Sequence, residues 1–193
     1  MKPVILASAS PRRKEILQNA GIPFEVAVSH AEEVRGGQFT PAQLVEENAF
    51  RKAKEVSDRF PDRIVLGADT VVAAEGRILG KPADREEAFR MIRLLSGRKH
   101  SVLTGIAIIG NGKVVHAVEE TSVFFRDLSD EQIRAYIATG ECDDKAGAYG
   151  IQGKAGVFVE RIEGDYFNVV GLPLCKVNSL LEDFYYVLPI DKK

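Results

Sequence analysis

The sequence predicts an α/β chain, strands and helices following one another along its whole length. Short apolar runs of strand length, Val4-Ile5-Leu6-Ala7 and Arg63 to Ala74, alternate with segments of helical spacing such as Lys14 to Ala20 and Pro41 to Val56. Two longer alternating segments, Ser101 to Ile109 and Val114 to Phe125, are joined by the hairpin signal Gly110-Asn111-Gly112. Helix punctuation recurs where that alternation needs it: Thr40, Asp84 and Ser129 stand at starts, Gly21, Gly97 and Gly140 at stops. At 193 residues the chain can bury a real core, as one domain or two small lobes.

The charge balance narrows the function classes. With 26 Lys plus Arg against 28 Asp plus Glu, a formal charge of −2 and no block of five like charges, a sequence-independent grip on nucleic acid is not expected. Met1 to Leu6 lack the long apolar core of a signal peptide, and no later apolar run has the length to span a bilayer. A cytoplasmic protein with no membrane partner is expected. Cys142 and Cys175 stand far apart, outside any CxxC or Cys/His metal pattern, and read as free thiols.

The first strand leads into Ser8-Ala9-Ser10-Pro11-Arg12-Arg13, a strand-to-helix turn. Ser10 is placed to cap the helix and Pro11 suits its first turn, so open backbone N–H groups and the positive end of the helix dipole meet two hydroxyls and two guanidiniums. That donor set matches a phosphate chain better than a lone carboxylate. The plainer reading is an N-cap followed by solvated arginines. Phe24 to Val28 alternates as a strand, and Ser29-His30-Ala31-Glu32-Glu33 follows as a loop whose paired acids either ligate a cation or are solvated surface. On the next helix Leu44, Val45, Ala49, Phe50, Ala53 and Val56 form the apolar stripe. Lys52 lies beside Ala49 and Ala53, either at the edge of a cleft or as a snorkelling surface lysine.

From Arg63 to Ala74 the run is nearly all apolar, with Asp69 and Thr70 at its centre. A carboxylate there is costly unless it is paired, hydrogen-bonded or on a metal, which makes Asp69 the leading functional candidate. The alternative is a turn-forming Asp between two strands. Glu75-Gly76-Arg77 makes a hairpin turn, and a short strand ends at Gly80-Lys81-Pro82, where Pro82 pushes Lys81 toward extended backbone. Asp84 opens a helix with Ala88, Met91, Ile92 and Leu95 as its buried face, and Ser96-Gly97 stops it.

His100 reads as a structural hydrogen-bonder rather than a general base. Leu128 to Gln132 caps a helix that buries Ile133, Tyr136 and Ile137. Asp143 to Gly153 is a glycine-rich loop that either lets backbone approach a ligand or merely connects; within it Gln152 offers donor and acceptor, the equipment for reading a base edge. Val157 to Ile162 reads as a strand and Gly164 to Asn168 as a turn. Gly171-Leu172-Pro173-Leu174 leads into a last helix reaching about Tyr185, with Lys192 and Lys193 as a frayed end.

Taken together, Ser8 to Arg13, Glu33, Lys52-Ala53, Gly67 to Val72, Leu79 to Pro82, Leu95-Ser96-Gly97, His100, Asp144 to Gly153, Gly164-Asp165-Tyr166 and Val170 to Pro173 resemble the Maf family of nucleotide pyrophosphatases. They follow the family order over almost the whole chain. The resemblance implies a cytoplasmic, metal-dependent enzyme that cleaves a nucleoside triphosphate between its α- and β-phosphates, releasing the monophosphate and pyrophosphate. It implies one Maf-like domain over residues 1–193, similar to the house-cleaning inosine triphosphatases: a mixed twisted sheet with flanking helices, its two lobes sharing that sheet around a deep cleft. Carried over by position, Asp69 is the proton acceptor for the attacking water, and Arg12, Thr70 and Gln152 sort substrates.

Ala68-Asp69-Thr70 and Tyr149 to Gly153 resemble the branch that acts on dTTP and UTP, modified pyrimidine nucleotides included as further candidates. The chemistry then assigns Ser8, Ser10, Arg12, Arg13, Lys52 and Lys81 to the phosphates, Asp69 and Glu33 to Mg²⁺ or Mn²⁺ and its water, and Gln152 to the base. Asp69 stays open as base, metal ligand or both. Asn48 stands where a more apolar residue is expected before Ala49, and is read as bearing on helix packing more than on chemistry. A nucleotide-binding regulator of cell division with little turnover is the second reading. Base rates make a homodimer the expected oligomer.

Overall fold

A computed structural model describes residues 2–35 and 37–184. Val4, Ile5 and Leu6 are wholly apolar and wholly buried, the pattern of a strand covered on both faces, and they form β1 (Val4–Leu6). β1 pairs in parallel with β2 (Phe24–Val26) on one side and β3 (Val65–Ala74) on the other, with Val4 opposite Phe24 and Ile5 opposite Val65. The connections are α1 (Pro11–Asn19) and α2 (Pro41–Arg59). The central sheet runs β2-β1-β3-β5-β6-β7, where β5 is Lys99–Gly110, β6 is Lys113–Phe125 and β7 is Val159–Glu163; β4 (Arg77–Leu79) pairs antiparallel with β3. β7 is antiparallel to β6, so the sheet is mixed, as the family resemblance implied.

The chain divides into two compact units, Met1–Asp69 with Thr104–Glu119 and Gly171–Lys193, and Thr70–Leu103 with Glu120–Val170. β3, β5 and β6 contribute residues to both. In the first unit α2 begins with a complete capping box, the Thr40 side chain accepting from the Gln43 N–H while the Gln43 side chain accepts from the Thr40 N–H, and Pro41 takes the first turn. Its buried face, Ala49, Ala53 and Val56, packs with Ile5, Ala7, Val65, Ala107 and Ile109. Burying Val56 and Val65 completely contributes about 1.5–3 kcal/mol each.

Gly67 brings helix and strand together. A Cβ built there would lie 2.8 Å from the Ala53 amide nitrogen and 2.9 Å from the Ala53 Cβ, so only glycine lets α2 lie this close on β3. Gly105 of β5 does the same beneath Val45. That close approach sets positions 48 and 52 of α2, one turn apart on one face, against the middle of β3.

In the second unit α3 (Arg85–Leu95) is capped by Asp84, which accepts from the Glu87 N–H at 2.7 Å, and buries the predicted Ala88, Met91, Ile92 and Leu95. α4 (Asp130–Ile137) has a capping box between Ser129 and Gln132 and buries Ile133, Tyr136 and Ile137. These faces share one core with Val123, Phe125 and Phe158. The two-residue turns fall at Glu75-Gly76 and Asn111-Gly112, all four residues at positive φ as such hairpins require.

Four local expectations need correction. The strand expected from Val157 begins at Val159, because 154–158 coil into a 3-10 segment in which the Gly156 N–H donates to the Gly153 carbonyl and the Val159 N–H to that of Gly156. The turn expected over Gly164 to Asn168 is only partly one. Asp165 accepts from the Phe167 N–H at 2.7 Å and starts a short helix, α5 (Tyr166–Val170). The glycine-rich stretch contains a 3-10 turn at Ala146–Ala148 whose Ala148 is fully buried, so it is packed rather than a free connector. Ser10 occupies the cap position of α1 without a side-chain cap bond; instead its N–H donates to the Ser8 Oγ at 3.2 Å.

The last helix, α6, is Leu174–Glu182; the expectations for Tyr185, Lys192 and Lys193 lie outside the described residues. Cys142 is buried and Cys175 exposed, and both are free thiols.

Candidate active site

Asp69 sits inside a single strand, not in a turn between two. Its side chain, 14% exposed, is held by two groups from α2: Lys52 Nζ donates to Oδ1 at 2.7 Å and Asn48 Nδ2 donates to Oδ2 at 3.1 Å. Lys52, equally buried at 14%, also lies 2.7 Å from Glu33 Oε1, whose side chain is 47% exposed. One ammonium thus gathers both predicted acids, one from the middle of β3 and one from the loop after β2. The lysine is a paired cation on the helix face, not a snorkelling surface residue.

Asn48 makes three hydrogen bonds at once. Besides Asp69, its Nδ2 donates to the Val34 carbonyl at 3.1 Å and its Oδ1 accepts from the Val34 N–H at 2.8 Å. The expectation that Asn48 bears on helix packing more than on chemistry is therefore corrected: its amide touches the candidate acid and ties down the residue next to Glu33. Spacing carried the missed signal. Asn48 and Lys52 are i and i+4 on an apolar stripe, two polar side chains aimed the same way.

The turn after β1 brings further polar groups to the same unit. Ser8 is buried, and its Oγ accepts from Arg13 Nη1 at 3.1 Å as well as from the Ser10 N–H. Arg13 is buried too. Nη1 donates to the Ala68 carbonyl at 2.9 Å and Nε to the Gly171 carbonyl at 2.8 Å. Burial lowers its pKa, while the charges of Asp69 and Glu33 act in the opposite direction; a guanidinium starting so far above neutrality keeps its charge. Ser10 and Arg12 are partly exposed on the same turn.

Thr70 follows Asp69 on β3 and is partly exposed. In the second unit, Lys81 is exposed just beyond β4, and Gln152 is exposed in the turn between the two 3-10 segments. His100 holds a structural place there: it is buried, its Nε2 lies 2.8 Å from the Tyr149 hydroxyl, and its ring packs edge-on against Phe125. Burial lowers its pKa to about 4, so it is neutral near pH 7.

Among the described residues no group of three or more His, Cys, Asp or Glu forms a cage for a metal. Asp69 and Glu33 converge on the Lys52 ammonium, and two such carboxylates have the oxygen chemistry a hard cation takes alongside phosphate oxygens and water. These two residues are the ones that could hold such a cation. No helix among the described residues is long and apolar enough to cross a membrane.

The Maf-like protein family model matches residues 3–184. The chain belongs to the Maf-like family. A dTTP/UTP pyrophosphatase of Symbiobacterium thermophilum is 54% identical over 186 residues, covering 96% of each chain. Proteins of the same name from Bacillus cereus and Geobacillus sp. are 52% and 56% identical over 95% and 91% of this chain, and 91% and 95% of their own lengths. Among solved structures, the Staphylococcus aureus Ham1 protein superposes with a TM-score of 0.54 at 14% identity, and a HAM1 protein from Coxiella burnetii with 0.52 at 16%; each match covers 95% of this chain and 100% of the other. At that identity the likeness is one of fold. Maf-like membership and a Ham1-like mixed sheet agree with the fold class read from the sequence.

Proposed function

We propose that this chain hydrolyses dTTP and UTP, with modified pyrimidine nucleotides as further substrates, to the monophosphate and pyrophosphate, as a house-cleaning enzyme of cytoplasmic nucleotide pools. The observation that carries this reading is the pairing of both Asp69 and Glu33 with Lys52 in a chain 52–56% identical to proteins named dTTP/UTP pyrophosphatase. Those enzyme names favour turnover over a regulator of cell division that only binds nucleotides. Residues 1–193 are read as one Maf-like domain acting as a homodimer, which light scattering on the purified chain tests.

Attack on a polyphosphate requires an oriented water, neutralised phosphate charge and a stabilised leaving pyrophosphate. In this proposal the Asp69 carboxylate accepts the proton of the attacking water. Arg12, Lys52 and Lys81 offset phosphate charge, and the Ser8 and Ser10 hydroxyls and the start of α1 donate to phosphate oxygens. Arg13 contributes through its charge, since Ser8, Ala68 and Gly171 occupy its Nη1 and Nε. Asp69 and Glu33 would hold Mg²⁺ or Mn²⁺, which supplies charge neutralisation at the phosphates and a more acidic water. Arg12, Thr70 and Gln152 sort substrates, Gln152 through its amide against the base.

Pyrophosphate release from a nucleotide panel with Mg²⁺ tests the activity. dTTP and UTP are expected to lead the panel, and Asp69→Asn to lower turnover by about 10²–10⁴-fold, the range for a lost general base. No release from any nucleotide overturns the function; retained turnover in Asp69→Asn overturns the role of Asp69. Gln152→Ala should compress the ranking of substrates more than it lowers turnover on a poor one, and an unchanged ranking removes Gln152 from base recognition.

A further inference from the structure

Asn48 is buried on a helix face whose only other polar contributor to the site is Lys52, at a position where packing alone calls for a Leu or an Ala. Its amide satisfies three partners from two different segments: Asp69 Oδ2, the Val34 carbonyl and the Val34 N–H. A primary amide has two N–H donors and one carbonyl acceptor available for such contacts, and each is used. Rotating the amide by a half-turn would set its oxygen against the Asp69 carboxylate and the Val34 carbonyl, both acceptors, so the orientation is fixed. Val34 follows Glu33 directly. The same side chain that orients Asp69 therefore also sets where the Glu33 loop lies, while Lys52, one turn further along α2, ties the two carboxylates together.

We infer that Asn48 is a positioning residue for the reaction: its amide holds the Asp69 carboxylate in one rotamer and locks the Glu33 loop to it, so that both acids are preset on a common point before substrate arrives. This rests on the proposed role of Asp69. Lys52 alone leaves the Asp69 carboxylate free to swing about the Oδ1 contact; the second contact, on Oδ2, removes that freedom. Fixing a reacting group in a productive geometry acts on turnover rather than on substrate affinity.

Two substitutions separate positioning from packing. Asn48→Leu keeps volume and burial and removes all three hydrogen bonds. Asn48→Asp keeps an acceptor for the Val34 N–H, and so half of the loop clamp, but sets a carboxylate against Asp69 Oδ2. If Asn48 positions Asp69, both variants lower kcat for dTTP by about tenfold or more with KM within about threefold, and Asn48→Asp is the worse of the two. If Asn48 serves only the loop, Asn48→Asp outperforms Asn48→Leu, and the inference fails.

Hydrogen exchange supplies a readout independent of turnover. Peptides covering residues 29–35 should exchange faster in Asn48→Leu, while β1, β3 and the rest of α2 keep their protection; unchanged exchange in that loop overturns the clamp. Loss of protection throughout α2 and β3 marks a general packing role and overturns it as well. Asp69→Asn, measured alongside, keeps the two readings apart. Turnover surviving in Asp69→Asn refutes the role of Asp69, whereas an inactive Asp69→Asn beside an Asn48→Leu with normal kcat refutes only the positioning role of Asn48.

Discussion

Removing the Lys52 ammonium would reveal how much of the fold's stability is committed to the site. In Lys52→Met the chain keeps its length and apolar stem but loses both ion pairs, leaving Asp69 and Glu33 without their shared cation. At 2.7 Å and an effective dielectric near 20, each pair has a gross Coulomb attraction of about 6 kcal/mol. Most of this is offset by desolvation. The Glu33 arm, 47% exposed, is worth at most about 1 kcal/mol net. The Asp69 arm has both partners at 14% exposure, and stripping one charge from such a pair leaves the other unsatisfied, at a cost of about 3 kcal/mol. For a chain of this size 1 kcal/mol moves Tm by about 2–4 °C, so with about 3–4 kcal/mol lost in all Lys52→Met should melt about 6–16 °C below the parent. Calorimetry or thermal circular dichroism near pH 7 measures this. A Tm within 2 °C of the parent would show that Lys52 and Asp69 are not a buried, mutually dependent pair, and the account of the site would fall with it.

Gly67→Ala adds one methyl where α2 lies on β3, and should cost about 1–3 kcal/mol while lowering turnover further than stability alone explains, because α2 carries Asn48 and Lys52; unchanged urea unfolding refutes the close approach. His100, neutral and buried, is depressed to about 4 from the ordinary 6.5, so the unfolded chain binds the extra proton between those values. Its contribution is fully present above pH 6.5, is lost as pH falls toward 4 and amounts to about 3 kcal/mol; His100→Gln should flatten that part of the stability–pH curve, measured by urea unfolding at stepped pH. Chelation with EDTA should abolish pyrophosphate release, with Mg²⁺ or Mn²⁺ restoring it and Ca²⁺ restoring less, since Mg²⁺ suits a site of one or two carboxylates plus phosphate oxygens. Full activity in EDTA would exclude the assignment of Asp69 and Glu33 to a metal.

Much of the framework is legible because short-range physics decides it. Thr40-Pro41-Ala42-Gln43 specifies a capping box from four residues, and Asn111-Gly112 specifies a two-residue hairpin from two. A carboxylate in the apolar run around Asp69 announces itself by the cost of burying it there. Other features depend on partners that are distant in sequence. Asn48 looks like a flaw in an apolar stripe until Val34 and Asp69 are brought to it, 14 and 21 residues away. Arg13 looks like a solvated phosphate ligand until Gly171, 158 residues on, supplies an acceptor for its Nε. The 3-10 segment at 154–158 and the turn before it did leave a trace, glycines at 150, 153 and 156 matching the three-residue step of their hydrogen bonds, but β-branched Val157 and Val159 masked it.

The reach of the Arg13 guanidinium has a bearing on how the polypeptide matures. As the chain emerges from the ribosome, Ser8 and the Ala68 carbonyl become available long before Gly171 does, so the Gly171 acceptor for the buried cation is missing until residue 171 has been made. Nascent chains halted before that point should keep this corner open to protease, and those extended past Gly171 should close it.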